Sequence, residues 1–482
     1  MRDGPRQPSF RTRTGVVALL AAVGLAAAAP AQEQERRLER AFRQSERMDR
    51  LRLDSSLNLS ERALLDVGGY FTYTFLNLDD ANGDSRRLNQ YDTTLYARAS
   101  IDEVHNFFFR SSFRYRDFSP GDSFDGRGDS WAEPFVDRYW YELDLTGSDG
   151  PVGFDLRIGR QFVDWGAGLA LSEQLIAARP GFVWGTGWRF VAEGLAGVTP
   201  PDESIIDFDS SRSEFNRRTL RGFYGGLFRA TSPTNQSFYA YGLYMADYNS
   251  DDGVARFGIL SPVDFQYDAV YLGVGVDGSL GPNLLYLGEF VYETGKSQSD
   301  PLRDPVQFAE DISAFAARAQ LTYQFHDRGL TRLQVETLLA SGDGDRILPS
   351  ETVAGNLAGT KDHSFNSLGF ANTGLAFATS LNNLMSLRVG ASTFPLRTVN
   401  GFERMQVGAD VLVFGKFNQD APIDEDTLDK NFLGTELDLY ANYRVTSDFA
   451  LGVRYGVFFP SDAIVQNPHT RHFVLLSATL SF

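Results

Sequence analysis

His472-Phe473-Val474-Leu475-Leu476-Ser477-Ala478-Thr479-Leu480-Ser481-Phe482 is the stretch on which the fold turns. From Val474 every second residue is apolar: Val474, Leu476, Ala478, Leu480 and Phe482. Between them stand the small polar Ser477, Thr479 and Ser481. A period of two places one set on each face of a strand. A soluble sheet would press the apolar face on a core. A strand in a bilayer barrel turns it to lipid and lines the interior with the polar set. The rest of the chain decides between these.

The other end carries a processing signal. Arg2, Arg6, Arg11 and Arg13 precede the small, apolar run Gly15–Ala29, and Ala29-Pro30-Ala31 offers a cleavage site before Gln32. That order fits a secretory leader, residues 1–31, better than an anchoring helix. After it no apolar run is long enough to span a bilayer as a helix, which needs ~20 residues. A membrane location therefore requires a closed barrel, because open sheet edges are unsatisfied in hydrocarbon. The mean hydropathy of −0.25 is compatible with this, since barrels hide their apolarity in alternation. The chain has no Cys, 39 Phe, 20 Tyr and 46 Gly. Without Cys there is neither a disulfide frame nor a thiolate metal site. The net charge of −17 argues against nucleic acid as a partner.

Residues 32–62 differ from everything that follows. Glu33 to Phe42 is charged and helix-prone, and Leu38, Phe42, Met48 and Leu51 give the segment only a thin apolar stripe. This reads as a short periplasmic helix or a disordered leader. From residue 63 to 482 strand patterns and turn signals alternate. The predicted strands are 63–77, 90–102, 107–118, 133–145, 152–164, 169–178, 187–198, 218–230, 237–247, 267–279, 284–294, 312–325, 330–340, 383–393, 404–417, 434–445, 449–459 and 471–482. That makes eighteen; dropping or adding a hairpin would give sixteen or twenty. Several reach the ~9–11 residues that cross a membrane when tilted. The connections alternate as well. Those at 103–106, 146–151, 231–236, 279–283, 326–329 and 446–448 are short. Those at 78–89, 119–132, 199–217, 248–266, 295–311, 341–382 and 418–433 are mostly long and acidic. Short periplasmic turns and long external loops are the pattern of outer-membrane barrels. The expected fold is an all-β, transmembrane, antiparallel barrel in a Gram-negative-type cell outer membrane. Outer-membrane lipid is then one of its partners.

Alternation also assigns faces. Arg110 and Arg114 oppose Phe107, Phe109 and Phe113; Arg318 opposes Phe315 and Leu321; Arg332 and Glu336 oppose Leu333 and Val335. Arg404 and Asp410 oppose Met405 and Val411, and Glu436, Asp438 and Arg444 oppose Leu437 and Leu439. Arg98, Arg157, Arg221, Arg388, Arg454, Glu142 and Glu289 take the polar faces of their strands. An Arg facing lipid near the midplane costs about 2–4 kcal/mol. These residues are therefore expected to line the interior. There they either brace it through Arg–carboxylate pairs or attract anionic solutes.

No catalytic or cofactor signature stands out. The five histidines fall in no metalloprotease motif, and Asp343-Gly344-Asp345 lacks the Glu that an EF-hand loop requires. No local signature nominates a Ser nucleophile, so the chain is not read as an enzyme.

Three stretches resemble the alginate-export family of barrels. They are Asp155-Leu156-Arg157-Ile158-Gly159-Arg160-Gln161 with Trp165-Gly166, then Ala340-Ser341-Gly342-Asp343-Gly344-Asp345 with Phe365, and Gly434-Thr435-Glu436-Leu437-Asp438-Leu439 with Phe458-Phe459-Pro460-Ser461. Ser461 stands where that family has Gly. The resemblance implies a monomeric barrel passing an anionic exopolysaccharide through an Arg-lined constriction, with Arg157, Arg160 and Glu436 at motif positions. Related barrels also serve as general or substrate-specific porins. The aromatic Phe482 closing its strand is similar to the signal that brings barrels to the barrel-assembly machinery, which implies that machinery as a partner. The functional expectation is a channel for anionic saccharides or small anions. The alternatives are a general or substrate-specific porin, or a plugged structural or adhesion barrel.

Overall fold

The computed structural model describes residues 65–101, 104–123, 128–145, 152–200, 220–248 and 263–482. The expected leader (1–31) and charged segment (32–62) lie outside the described residues. Eighteen strands follow: β1 (Leu65–Asp79), β2 (Ser85–Ile101), β3 (His105–Phe118), β4 (Ser130–Asp144), β5 (Val152–Trp165), β6 (Leu171–Trp184), β7 (Arg189–Val198), β8 (Arg221–Thr231) and β9 (Ser237–Asp247). The second half is β10 (Tyr267–Leu280), β11 (Leu284–Gln298), β12 (Ala309–Gln324), β13 (Arg332–Ala340), β14 (Leu384–Thr393), β15 (Met405–Lys416), β16 (Phe432–Arg444), β17 (Phe449–Pro460) and β18 (Arg471–Ser481). Each strand pairs with its chain neighbours, and β1 pairs antiparallel with β18 to close the ring. The seam is sealed at Gly69 and Phe482, whose backbones exchange hydrogen bonds of 2.8 and 2.9 Å. No edge remains, as a hydrocarbon environment requires.

The two faces separate as the alternation predicts. Phe107 and Phe109 of β3 and Leu333 and Val335 of β13 are exposed on the outer surface, as are Leu321, Tyr323, Val411 and Val413, whereas Arg110 of β3 and Glu336 of β13 are buried. One rim carries short turns such as 281–283 and 445–448; the other carries the long connections. Two details depart from expectation. The connection expected over 78–89 is only Asp80–Asp84, because both strands extend into it. The Asp80 carboxylate accepts N–H groups from Asn82 and Asp84 at 2.8 and 2.9 Å and pairs with Arg86, so five residues suffice for the turn. Residues 394–404 form a longer connection at the short-turn rim, and Arg404, expected on an inner strand face, sits there exposed.

Two segments leave the wall and fill part of the interior. β5 and β6 pair with each other as far as Trp165–Leu171. However, β4 pairs with β5 only up to Arg160, and β7 meets β6 only from Ile176 onward. The hairpin tip 161–175 therefore peels away, and Val163, Trp165, Leu169, Ala170 and Leu171 are fully buried. The second segment is the connection 341–383. Leu368 bridges Leu171, Asn366 binds Glu293 on β11, and Leu375 packs with Leu76, Leu88 and Leu475 of β1, β2 and β18. Those strands lie on different sides of the ring, so this connection crosses the interior. The main apolar core is consequently inside the barrel, where Trp165, Leu171, Phe365, Phe377, Phe414 and Phe458 gather.

Candidate functional site

The charged residues of the inner face form two dissimilar walls. Across β11–β16 the register sets Glu289 opposite Arg318, Glu336 opposite Arg388, and Asp410 opposite Asp438. Glu336 is held from both sides, by Arg318 Nε at 2.7 Å and Arg388 Nη2 at 2.5 Å. Arg388 also reaches Asp410 at 3.9 Å. From β11 to β15 these ions alternate in sign, with only Asp438 on β16 facing a like charge in Asp410, so the buried carboxylate of Glu336 has the opposite charges that burial demands.

Two glutamates of this wall anchor the inserted segments. Glu289 accepts the hydroxyls of Tyr239 (2.9 Å) and Tyr241 (2.6 Å) and the backbone N–H of Ala167 at the hairpin tip. The carbonyl of Ala167 takes a hydrogen bond from Arg318 Nη1 at 2.8 Å. Glu436 accepts the backbone N–H groups of Leu375, Ala376 and Phe377 at 2.5, 2.7 and 2.9 Å. Each anchor works beside a glycine of positive φ. A Cβ on Gly166 (φ +65°) or on Gly374 (φ +88°) would stand 2.5 Å from the Oε2 of Glu289 or Glu436 respectively. Only glycine gives both the backbone turn and the close approach. Glu293 repeats the device, accepting the N–H of Asn366 (2.9 Å) and the hydroxyl of Tyr267 (2.6 Å).

The wall from β2 to β10 is built from pairs between neighbouring or near strands. Arg110 and Asp137 form a buried bidentate pair, with Asp137 skipped by the β3–β4 register. Arg114 pairs with Asp92 at 2.7 Å, Arg157 with Glu142 at 2.6 Å, Arg179 with Glu193 at 2.8 Å and Arg229 with Asp277 at 2.6 Å. The guanidinium of Arg157 also lies 4.4 Å from the Trp140 ring centroid. The side chains of Arg114, Arg157 and Arg229 keep 25, 32 and 30% of their exposure.

The remaining expected residues lie apart. Arg98 sits opposite Asp66 near the short-turn end. Arg221 is fully buried near the long-connection rim, 3.8 Å from Asp247. Arg332 reaches Gln334 at 3.1 Å at the start of β13, and Arg444 donates to the Ser447 carbonyl at the end of β16. Arg454 is buried in β17 opposite Tyr440. Arg160, a motif position, shares the outer-surface parity of the exposed Ile158 and pairs in register with exposed Tyr139. Sequence reasoning missed Asp92, Asp137, Arg179, Glu193, Arg229 and Asp277 as partners. Their alternation marked the inner face, but nothing local named the cross-strand mate.

The Ser341-Gly342-Asp343 stretch ties the ends of the crossing connection together. The carbonyl of Ser341 accepts N–H groups from Phe365 and Asn383, at 3.2 and 3.1 Å. The Asp343 carboxylate accepts N–H groups from Asp345 and His363, each at 2.8 Å. Burial raises the Asp343 carboxyl above the usual aspartate range, and those two N–H groups oppose the rise. Among the described residues no group of three or more His, Asp or Glu is arranged to hold a metal ion.

Comparison with known proteins places this architecture. The family model described as "Alginate export" matches residues 239–476, which run from β9 into β18. The fold superimposes on OccK8 (OprE) of Pseudomonas aeruginosa with a TM-score of 0.50 at 11% identity, covering 87% of this chain and 98% of that one. OccK7 (OpdD) of the same organism gives 0.48 at 12% identity over 87% of this chain and 99% of that one. OccAB2 of Acinetobacter baumannii gives 0.49 at 12% identity, over 87% and 98%. No curated protein matches. The chain thus has the fold of an outer-membrane β-barrel and carries an alginate-export match over its C-terminal part. Both the Glu289 and Glu436 anchors fall inside the matched residues.

Proposed function

Starting from the alginate-export match, we propose that this outer-membrane channel passes anionic solutes, acidic oligo- or polysaccharides among them, by passive diffusion or export. Its short-turn rim faces the periplasm and its long connections face outward. The solute path runs along the Arg-bearing inner face, with Arg114, Arg157, Arg318 and Arg388 in contact with it. One observation carries the reading: in several ion pairs the guanidinium is more exposed than its carboxylate. Side-chain exposure is 25% for Arg114 against 14% for Asp92, and 32% for Arg157 against 17% for Glu142. Arg318 and Arg388 keep 17% and 15%, while Glu336 keeps 2%. An Arg has five donors, and a carboxylate in these pairs occupies one or two. The donors left over favour carboxylate-bearing solutes in a confined, low-dielectric path. Planar-bilayer recordings under a salt gradient test this. The expected reversal potential favours anions, and uronate oligomers reduce the current. A cation-selective pore overturns the anion reading.

A plugged barrel is the competing reading, favoured by the fully buried Phe365 and Phe377 inside the ring. Steady current from the purified protein rejects it.

A further inference from the structure

An open groove of about 560 Å³, lined by aromatic, amide and hydroxyl side chains, lies at the long-connection rim. Its floor is aromatic. Phe315 lies on the outer face of β12, the face that carries exposed Leu321 and Tyr323. Phe417 meets Phe315 edge-on at 5.2 Å between ring centroids and is itself 39% exposed. Its walls are polar, with His363, Asn418, Gln419 and Asn431, and carry one carboxylate, that of Asp343. His363 donates from Nδ1 to the Ser313 carbonyl at 2.7 Å, which leaves Nε2 as an acceptor. Among the described residues Gln419 is bonded only through its backbone carbonyl, and Asn431 through its backbone carbonyl and Nδ2. Both oxygens of Asp343, also in the lining, are already taken by backbone N–H groups.

We propose that this niche is a saccharide-binding site, separate from the solute path. A sugar ring would lay its C–H face on Phe417 and share its hydroxyls among His363 Nε2, the Gln419 amide and Asn431 Oδ1. The match is chemical. Amide and imidazole groups both donate and accept, as hydroxyls do, and an aromatic face suits the apolar side of a pyranose. Among the described residues no Lys or Arg lines the groove, so it selects hydroxyls rather than phosphate or carboxylate. The niche stands on the outer surface at the rim, within reach of two sources: a glycolipid sugar headgroup in the outer leaflet, or a free glycan.

The full chain, purified in a detergent without sugar headgroups, is titrated with maltotriose and, in nanodiscs, with rough lipopolysaccharide that keeps its neutral outer-core hexoses. Calorimetry reads binding of both probes. The double variant Phe417→Ala/Gln419→Ala is expected to weaken binding at least about tenfold, ~1.4 kcal/mol. Its single-channel conductance should stay at the wild-type value. Asn431→Ala, an exposed single change, gives a second test if the double variant fails to fold. Binding of maltotriose assigns the site to glycans in general; binding of lipopolysaccharide alone, lost in the variants, assigns it to the headgroup. Binding that the variants leave unchanged, or no binding of either probe at millimolar concentration, overturns the proposal. A failed anion-selectivity measurement would not touch it, since no residue is shared with the solute path.

Discussion

The walls β11–β16 and β2–β10 use the same residue types in the same alternation, yet their charges have different surroundings. In the first, Glu289, Glu293 and Glu436 are buried under inserted chain and accept backbone N–H groups. In the second, Arg114, Arg157 and Arg229 pair across or near the ladder and keep about a quarter to a third of their exposure. Burial decides what such a charge is worth. A hydrogen bond to a charged group contributes about 1.5–3 kcal/mol, whereas a part-exposed ion pair contributes about 0–1 kcal/mol. The carboxylates of the first wall therefore hold shape, while the guanidinium donors, less exposed on Arg318 and Arg388 than on Arg114, Arg157 and Arg229, are the groups left for the proposed solute path.

Removing an anchor is the strongest way to break the contrast. Glu436→Ala strips the acceptor from three backbone N–H groups at once. At about 1–3 kcal/mol for each unsatisfied group, a loss of roughly 3 kcal/mol or more is expected. Thermal unfolding should shift down, and protease should cut within 370–380. An unchanged midpoint with full protection would rule out the anchor. Gly374→Ala is a gentler version. Its positive φ and the clash with Glu436 should together cost about 1–3 kcal/mol. Gly359→Ala, at φ +81° but with open space around the added carbon, is the control and should cost less. The smallest effect on stability belongs to the other wall. Arg157→Gln should change unfolding by about 1 kcal/mol or less, while its reversal potential moves toward cations. A large stability loss with unchanged selectivity would erase the distinction between the walls.

The strands were legible because period-two alternation is local. All eighteen appear where the pattern put them, including β13 and β14 on either side of the longest connection. What passes through the interior was not legible. Residues 161–175 read as a strand, a turn and another strand, yet their tip leaves the wall. The trace in the sequence is the loss of alternation: Leu169, Ala170 and Leu171 are consecutive apolar residues, and all three are buried. Alternation likewise put Glu436 on the inner face. Its partners, Leu375 to Phe377, lie some sixty residues away in a stretch with strand-like composition, and no local pattern links the two. Arg404 was misplaced for the opposite reason: it lies one residue outside β15, where alternation still reads but the strand has ended.

The seam at Gly69 and Phe482 has a consequence for time. It joins the two strands that are farthest apart along the chain, β1 and β18, whereas every other pairing joins consecutive strands. Contacts of long sequence separation form slowly, because the intervening loop must be closed before they contribute. The ring is therefore expected to grow hairpin by hairpin and to close at this seam last. Until then both free edges are exposed, so a chain that lacks β18 would stay an open sheet however well its other strands had paired.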